Sequence, residues 1–460
     1  MFFPMVPMSA PPSFTALAQA VNQPKIGFDS QNPPPQAVLD SCVHCGFCLN
    51  TCPSYRVIGK ETDSPRGRIY LMNGINQGQA SLDATTIQHF DSCLGCLACV
   101  SACPSGVQYD QLISATRPQV ERNHDRPFGD RLLRGIIFNL FPYPWRLRLL
   151  LPLLWVYQNC GLQKLVQATG LLSRFFPRLA AMESILPRVT AASFRDNYPT
   201  EISAQGEKRY RVGIILGCVQ RLFFSPVNEA TVRVLTANGC EVVIPQSQGC
   251  CAALPAHQGQ TDQAEAIARQ MIDSFANTEV DYIIINAAGC GHTLKEYHHI
   301  LADDAEYLPK AQAFVSKVRD INEFLMEIGL NQTLHPVTEE LTPVVYQDAC
   351  HLIHGQKISL QPRQLIAQIP HLQLREPLDA ALCCGSAGVY NMLQPAVAEE
   401  LGQQKVNNLC QTGAQLIISA NPGCSLQIQK HLGKQGQNLG VIHPIQLLDL
   451  SLRGEKLTGL

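Results

Sequence analysis

The chain has 460 residues, a formal net charge of -2 and 16% charged residues. This length allows about three domains with substantial cores, and the charge balance leaves no strongly basic face, which excludes nucleic acid as a partner. The 19 cysteines lie in ligand-like groups rather than scattered along the chain. Such thiols indicate a reducing compartment, so we expect a cytoplasmic protein.

Residues 1–35 form a proline-rich start that we predict to be flexible. The first part of it lacks the positive n-region of a signal peptide and is broken by four prolines. No stretch reaches the roughly 18 to 20 apolar residues that a membrane span requires. The nearest candidate, residues 149–163, is interrupted by Pro152 and Gly161, so we expect no transmembrane helix.

Residues 36–127 carry one cysteine spacing twice, C-x2-C-x2-C-x3-C-P. This is the ligand pattern of a two-cluster ferredoxin, in which the fourth cysteine of each run binds the other [4Fe-4S] cluster. We therefore predict that one cluster is held by Cys42, Cys45, Cys48 and Cys103. The second cluster is then held by Cys93, Cys96, Cys99 and Cys52.

Zinc ribbons and disulfides are the alternatives for closely spaced cysteines. Zinc sites usually use two pairs, whereas this chain has two quartets that each end in Cys-Pro. Between the quartets, Ser64 and Pro65 precede apolar residues at helical spacing, which is typical of a helix start, so we predict an all-helical domain. Arg66 and Arg68 either lie near a cluster and favour its reduced state, or form a solvated first turn.

Residues 128–208 form a connector of different composition. Up to residue 194 it is rich in Leu, Phe, Pro and Arg and contains both tryptophans, Trp145 and Trp155. This composition predicts short, proline-bounded helices with large apolar faces. They either pack as an ordinary connector or form a docking surface for a partner subunit or for the membrane. Residues 195–208 resemble a polar linker.

Residues 209–335 and 336–460 repeat one β/α pattern. Each copy has a strand that ends in cysteine, a cysteine pair after a second strand, and a third strand that leads into Gly-Cys. The offsets are 132, 133 and 134 residues for Cys218 to Cys350, Cys250 to Cys383 and Cys290 to Cys424. Such constant spacing indicates a duplication.

In each copy the cysteines follow the carboxyl ends of predicted parallel strands, which meet at one edge of a sheet. We expect them to converge within each repeat, where they suit a metal cluster or a redox-active thiol site better than a disulfide. The first set is Cys218, Cys250, Cys251 and Cys290. The second set is Cys350, Cys383, Cys384 and Cys424.

Other cysteines and histidines carry a weaker signal. Three cysteines lack a comparable setting and are interpreted as inert: Cys160, Cys240 and Cys410. Four histidines lie near the cysteine sites, either as parts of helix starts or as ligands or proton carriers. They are His257, His292, His351 and His354.

Five motifs together resemble one known family. They are Cys42-VHCGFCLNTCP, Ser64-PRGRIYL, Cys103-PSGV, Cys383-CGSAGVYN and Asn421-PGC. In them the chain is similar to the iron-sulfur subunits of bacterial glycolate oxidases, which join a two-cluster ferredoxin to duplicated cysteine-rich "CCG" domains. The resemblance implies an α/β protein overall: an all-α ferredoxin-like domain, a helical connector and two parallel-sheet CCG domains.

The resemblance also implies the role of an electron-transfer subunit in an oxidoreductase complex. Its partners would be flavin-binding subunits, one of which uses FAD to oxidise glycolate to glyoxylate. Electrons would pass through the two [4Fe-4S] clusters, and through a further cluster if the CCG cysteines bind one, to a quinone or another membrane acceptor. Any contact with the inner face of the membrane would be peripheral.

The residues themselves agree with this role. The sequence contains no G-x-G-x-x-G after a strand, no P-loop and no G-x-S-x-G, so it offers no visible means of binding a flavin or a nucleotide. Iron-sulfur clusters pass single electrons, whereas hydride removal from an alcohol requires an organic cofactor. We therefore expect substrate oxidation on a partner subunit and no catalytic residue on this chain.

The sequence departs from related patterns in two places. Ala252 follows the first cysteine pair, where the family has glycine, and neither Cys290 nor Cys424 begins a C-x2-C motif. Heterodisulfide reductases use five cysteines per repeat for an unusual cluster, so such a cluster is in doubt here, as is a thiol/disulfide enzyme of that kind. D-lactate and glycerol 3-phosphate remain alternative substrates, and a scaffold that binds zinc or nothing at the second-half thiols is a further alternative.

Overall fold

The computed structural model describes residues 27–458, so the proline-rich start lies, up to residue 26, outside the described residues. The stretch after it is packed against the first domain. Asp29 accepts hydrogen bonds from Gln119 at 2.9 Å and from Arg122 at 3.0 Å, and the bond from Arg122 holds the pKa of Asp29 well below its ordinary value. The prediction of flexibility is therefore wrong at Asp29, which is packed against the first domain.

The N-terminal part is all-helical up to residue 123 within the described residues, as predicted. Its helices are α1 (Gln36–Asp40), α2 (Pro53–Ile58), α3 (Pro65–Asn76), α4 (Ala84–Asp91), α5 (Ala98–Ala102) and α6 (Tyr109–Asn123), with a 3₁₀ turn at Glu61–Asp63. Helix α3 begins where the sequence predicts, because the Ser64 hydroxyl accepts a hydrogen bond from the Gly67 N–H at 3.0 Å. Gly67 is required there, since a Cβ would lie 1.9 Å from the Glu61 carbonyl oxygen.

The connector is helical and two of its five helices begin at a proline as predicted, but one has 16 residues and continues through Pro152, so the prediction of short, proline-bounded helices is wrong there. The five helices are α7 (Phe128–Leu140), α8 (Pro144–Asn159), α9 (Leu162–Thr169), α10 (Leu171–Phe175) and α11 (Pro177–Ser184), followed by a 3₁₀ turn at Ala191–Phe194. Together, helices α7–α11 are called the linker. Within residues 27–458, no helix combines the length and the apolar character that crossing a bilayer requires.

The first repeat contains a five-stranded sheet in the order β1-β3-β2-β4-β5. Its strands are β1 (Glu201–Ile202), β2 (Tyr210–Ile214), β3 (Cys240–Val243), β4 (Tyr282–Ile285) and β5 (Val318–Asp320). Strands β2–β5 are parallel, but β1 pairs with β3 in the antiparallel direction. The interpretation of residues 195–208 as a polar linker is therefore wrong at β1, which covers the otherwise open edge of β3.

Eight helices accompany this sheet among the described residues. They are α12 (Val219–Phe223), α13 (Ser225–Ala237), α14 (Ala253–Ala256), α15 (Thr261–Phe275), α16 (Ala288–Lys295), α17 (Tyr297–Ile300), α18 (Tyr307–Lys317) and α19 (Ile321–Ile328). Continuous apolar strands between such helices are buried on both faces, which is the arrangement of a parallel α/β sheet.

The second repeat contains a four-stranded parallel sheet in the order β7-β6-β8-β9. Its strands are β6 (Thr342–Gln347), β7 (Leu372–Arg375), β8 (Leu416–Ser419) and β9 (Gly440–Ile442). Its helices are α20 (Leu360–Ala367), α21 (Tyr390–Leu393), α22 (Pro395–Cys410), α23 (Pro422–Lys434) and α24 (Pro444–Arg453), with a π turn at His351–Gly355. The strand order matches that of β3-β2-β4-β5, which confirms the predicted pair of repeats.

The two repeats share one apolar core. Ile214 and Ile284 of the first sheet and Tyr346 and Ile418 of the second belong to the same buried cluster. Helix α13 packs against α24, where Arg233 binds both carboxylate oxygens of Asp449, at 2.9 and 2.7 Å. The shared core fixes the orientation of one cysteine-bearing sheet edge relative to the other.

Candidate iron-sulfur and thiol sites

The first predicted set of cysteines surrounds one cavity in the N-terminal domain. Cys42, Cys45, Cys48 and Cys103 line it together with Arg66. Cys45 is exposed, so this cavity lies at the protein surface. The Arg66 guanidinium donates a hydrogen bond to the His44 carbonyl oxygen at 2.9 Å, and it also pairs with Glu61 at 2.6 Å.

The second predicted set surrounds a neighbouring, buried cavity. Cys52, Cys93, Cys96 and Cys99 line it, and all four are buried. Cys93 Sγ accepts hydrogen bonds from the Gly95 N–H at 3.4 Å and from the Tyr109 hydroxyl at 3.7 Å. Four soft sulfur donors around one space, with N–H groups directed at a sulfur, fit an iron-sulfur cluster at each cavity.

Arg68 is a buried cation beside the second cavity, which it lines. Its guanidinium donates to Ser54 Oγ at 3.0 Å, to Ser92 Oγ at 2.8 Å and to the His89 carbonyl oxygen at 2.6 Å. It also lies 3.7 Å from the carboxylate of Asp63, and both side chains are almost fully buried. The alternative of a solvated first turn is therefore wrong for Arg68.

Arg68 affects the pKa of the neighbouring Cys93 thiol. Burial by itself would raise the pKa of Cys93, but the charges of Arg68 and Arg117 lower it, and the net shift is downward. Cys96 and Cys99 lack such compensation, so burial raises the pKa of both thiols well above the ordinary value. Sequence reasoning missed Arg117 and Tyr109, because only the fold brings helix α6 against the second cysteine run.

The second cavity lies directly against the second repeat. Cys96 and Cys383 belong to one small apolar cluster, with Cys350 packed beside it. After burial, the charge of Cys350 is the next cause that raises the pKa of Cys96. Two hydrogen bonds hold this contact: His351 Nε2–H donates to the Gly95 carbonyl oxygen at 2.9 Å, and the Tyr390 hydroxyl donates to the Ser92 carbonyl oxygen at 3.0 Å.

In the first repeat the four predicted cysteines form a chain of neighbouring thiols. The Sγ atoms of Cys250 and Cys218 are 3.6 Å apart, and Cys251 lies within hydrogen-bond reach of Cys250 and Cys290. Hydrogen bonds from these two neighbours lower the pKa of Cys251 well below the ordinary value. The second cysteine of the pair is therefore more acidic than Cys250 and Cys290, whose pKa values the neighbouring thiols and burial raise well above the ordinary value.

The second repeat has the same arrangement. Cys383 lies beside Cys350, and hydrogen bonds from Cys383 and Cys424 lower the pKa of Cys384 well below the ordinary value. The Asn421 amide donates to Cys424 Sγ at 3.4 Å. Each set offers four sulfur donors, which fits a four-thiolate metal cluster or a redox-active thiol group.

The two thiol sets face each other across one cavity, which the sequence did not predict. The cavity has an empty volume of about 1250 Å³ including its opening to solvent, and seven of the eight cysteines line it: Cys218, Cys250, Cys251, Cys290, Cys350, Cys384 and Cys424. The repeats meet beside it, where the Gly289 N–H donates to Asn421 Oδ1 at 3.1 Å. Phe141 and Ile185, which flank linker helices, complete its wall.

Three of the four histidines form a cluster in which His292 is buried and His257 and His351 are half-buried. The ring centroids of His257 and His292 each lie 4.8 Å from that of His351, and burial lowers the pKa of all three, that of His292 to about 3. They are therefore neutral, and His257 and His351 line the shared cavity. His354 lies apart, with Nδ1 2.9 Å from Ser101 Oγ.

The remaining sequence features lie away from these sites or have a local explanation. Cys160 is exposed, Cys240 lies in the sheet core, and Cys410 is half-buried at the end of α22. Ala252 adopts a left-handed backbone with φ of 65°, and its counterpart Gly385 has φ of 84°. Position 252 therefore has alanine in a backbone conformation that glycine adopts with less strain. The strain at Ala252 costs about 1 kcal/mol.

Comparison with known proteins covers most of the chain. Residues 38–107 match a 4Fe-4S dicluster domain, residues 129–186 match the glycolate oxidase iron-sulfur subunit linker region, and residues 212–295 and 344–429 each match a cysteine-rich domain. The fold, the cysteine sites and these matches define an iron-sulfur electron-transfer protein that is a component of an oxidoreductase.

Three proteins illustrate its relatives. The probable glycolate oxidase iron-sulfur subunit of Bacillus subtilis is 38% identical over 416 residues, 90% of this chain and 93% of that protein. The glycolate oxidase iron-sulfur subunit of Escherichia coli is 32% identical over 422 residues, 91% and 95% of the two chains. Lactate utilization protein A of Shouchella clausii is 28% identical over 238 residues, 52% of this chain and 98% of that protein. The chain belongs to the family of glycolate oxidase iron-sulfur subunits.

Proposed function

We propose that this chain carries electrons in a flavin-dependent glycolate oxidase complex on the cytoplasmic side of the membrane. The names of the two relatives that match along nearly the whole chain support glycolate as the substrate. Glycolate is oxidised to glyoxylate on a flavin-binding partner, where FAD supplies the hydride chemistry. The match to lactate utilization protein A covers 52% of this chain, so D-lactate is the weaker candidate.

Eight cysteines hold two clusters in this proposal. Cys42, Cys45, Cys48 and Cys103 bind the first, and Cys52, Cys93, Cys96 and Cys99 bind the second. Bound clusters supply one-electron carriers at the two sites. The protein supplies burial, the N–H donors at Cys93 and Cys103, and the fixed charge of Arg68. The N–H donors and the charge favour the more negative, reduced state.

The first site is where the flavin partner docks. Cys45 is exposed, and its neighbours Val43 and Phe47 are 69% and 67% exposed. Two large apolar side chains on a surface loop that carries predicted ligands suit burial under a partner subunit. Electrons therefore enter at this loop, since an approach to the second site is blocked by the surrounding protein.

The contact between Cys96 and the second repeat is the observation that carries the proposal. Cys96 belongs to the second site, and it packs against Cys350 and Cys383. Electrons that reach the second site therefore leave toward the thiols of the shared cavity, which hold a further cluster or act as redox-active thiols. From there they pass to a quinone or another membrane acceptor.

Replacement of Cys96 by Ser tests this assignment in the assembled complex. We expect glycolate to reduce the flavin as before, while reduction of a quinone stops. Cys410→Ser is the matched control, because Cys410 is only half-buried and lies outside the sites. Retention of the first cluster's paramagnetic signal after dithionite shows that the domain has folded, and unimpaired quinone reduction by C96S would remove the assignment.

Metal analysis decides what the shared cavity holds. Two [4Fe-4S] clusters give about eight irons and eight sulfides per chain, and a third gives about twelve. A chain with about eight irons, no zinc and disulfide turnover that depends on Cys384 would favour the thiol/disulfide enzyme instead. Zinc at these thiols would favour the scaffold.

A further inference from the structure

The linker exposes more apolar surface than the rest of the described chain. Of the 21 large hydrophobic side chains that are exposed within residues 27–458, 14 lie in residues 128–179. Helices α9 and α10 have no buried residue at all. Single exposed apolar side chains need no explanation, but their concentration in one segment indicates a surface that something covers.

Helix α8 is apolar on both sides. Leu147 and Leu151 face the protein and are buried. The opposite side presents large apolar side chains that are 60%, 68%, 67% and 52% exposed, namely Trp145, Leu149, Leu153 and Val156. Apart from Arg146 and Arg148, residues 144–156 of α8 are apolar, and a helix with apolar residues on opposite sides is normally covered on both, so one side of α8 lacks its cover.

The charges of this segment are unbalanced. Its two acidic residues are occupied: Asp130 pairs with arginines, including Arg178 at 2.8 Å, and Glu183 accepts a hydrogen bond from the Gln163 amide at 2.9 Å. Three exposed cations of the linker have no side-chain partner among the described residues, namely Arg131, Lys164 and Arg174, and the same holds for Arg188, which follows α11. The uncompensated charge of the linker is therefore entirely positive.

We propose that the exposed side of the linker binds the surface of an anionic lipid bilayer. Its apolar side chains enter the boundary between headgroups and acyl chains, and the four free cations meet lipid phosphates. Trp145 and Trp155 stand near the two ends of α8, and tryptophan favours this boundary because its ring is apolar and its N–H is polar.

The composition of this surface favours lipid over a protein partner. Protein interfaces form about one hydrogen bond per 100–200 Å². Between Trp145 and Val156, the exposed side of α8 offers no neutral side chain that can form hydrogen bonds, apart from the two indole N–H groups. A lipid surface does not need such hydrogen bonds, because its phosphates interact with cations and its acyl region accepts apolar side chains.

Only the role that we give to membrane binding, access to an electron acceptor in the bilayer, rests on the proposed function. Phe141 precedes α8 and Ile185 follows α11 in sequence, and both line the shared cavity. A lipid-soluble electron acceptor in the bilayer would therefore meet the linker before it reached the cysteines. Vesicle binding itself requires no electron transfer, so it can be measured separately.

Vesicle co-sedimentation of the full, anaerobically purified chain tests the proposal. We expect binding to vesicles of phosphatidylglycerol and phosphatidylethanolamine, and weak binding to phosphatidylcholine alone. The double variant L149E/L153E should lose binding at least about tenfold, and K164Q/R174Q should weaken binding to anionic vesicles by about fivefold per charge, corresponding to about 1 kcal/mol each. L341E is the matched control, since Leu341 is 66% exposed and Leu149 is 68% exposed.

Unchanged iron content and cluster signals must first show that the variants have folded. The proposal is overturned if the native chain does not bind anionic vesicles, or if L149E/L153E binds them as the native chain does. It is also overturned if this variant keeps vesicle binding but no longer assembles with the flavin subunits, because a protein would then cover the surface. Intact vesicle binding beside a failed Cys96 test would remove only the proposed function.

Discussion

Replacement of Arg68 by Met should destabilise the N-terminal domain strongly. The change keeps most of the side-chain length but removes a guanidinium that is 1% exposed and donates three hydrogen bonds. It also removes the arginine charge 3.7 Å from the carboxylate of Asp63, which is 4% exposed and keeps its hydrogen bonds with His89 and Ser92. Removal of one partner from a buried ion pair costs about 3–5 kcal/mol, so we expect a loss of about 4 kcal/mol.

Urea unfolding of the cluster-containing protein under anaerobic conditions measures this loss. The readout is the decrease in the visible absorbance of the clusters as the protein unfolds. With a denaturant slope of about 2 kcal/mol per M urea, a loss of about 4 kcal/mol lowers the midpoint by about 2 M. Arg56→Met is the control, because Arg56 pairs with Asp379 at the surface, where both side chains are partly exposed. Such pairs contribute about 0–1 kcal/mol, so this midpoint should fall by less than about 0.5 M.

A third variant separates the lost charge from the lost packing. In R68M/D63N the remaining buried partner is neutral, so part of the stability should return relative to R68M. The reasoning would be refuted if R68M lowered the midpoint no more than R56M. It would also be refuted if D63N made the R68M protein less stable, because the cost would then not arise from an uncompensated carboxylate.

Two further changes test the second half of the chain. Burial lowers the pKa of His443 from 6.5 to about 4, so the unfolded state binds a proton more readily, and the stability that the neutral ring contributes above pH 6.5 is lost as the pH falls toward 4. Between pH 7 and pH 5 the loss of unfolding free energy amounts to about 2 kcal/mol. In the variant His443→Asn the side chain cannot titrate, so the urea midpoint should depend less on pH. An equal pH dependence of the midpoint in both proteins would contradict this prediction. Cys350→Ser should slow quinone reduction by about 10- to 100-fold, and Cys218→Ser should slow it less, because Cys350 adjoins the second site and Cys218 does not. Rapid-mixing kinetics measure both rates, and a larger effect of C218S would show that electrons enter the cavity through the first repeat.

The local features of this fold are visible in the sequence because they depend on short-range chemistry. The start of α3 follows from the Ser64 hydroxyl and the fixed φ of Pro65. The grouping of eight cysteines around two neighbouring cavities agrees with the spacing pattern, although their role as ligands stays a prediction. The parallel pairing of β2–β5 and of β6–β9 likewise follows from continuous apolar strands between helices, whereas their order in each sheet comes from the structure.

The arrangement of one domain against another is not visible in the sequence. The two thiol sets share a cavity because α13 packs on α24 and Arg233 binds Asp449, and no spacing reports such contacts. Cys96 meets Cys350 where the N-terminal domain packs against the second repeat, and the cysteine spacing does not report this contact either. Strand β1 was missed because two residues in a polar segment, Glu201 and Ile202, carry no alternation, and their pairing depends on the open edge of β3.

The unequal exposure of the two cysteine loops sets an order of damage in air. Molecular oxygen reaches the exposed Cys45 loop without any opening of the fold, whereas the buried loop around Cys96 is protected by the second repeat. With the two clusters bound as proposed, protein prepared aerobically should therefore lose about half of its ferredoxin iron quickly and keep the remainder much longer. Assembly with the flavin subunits would shield the vulnerable loop, so the free subunit should be the form that a cell has to repair.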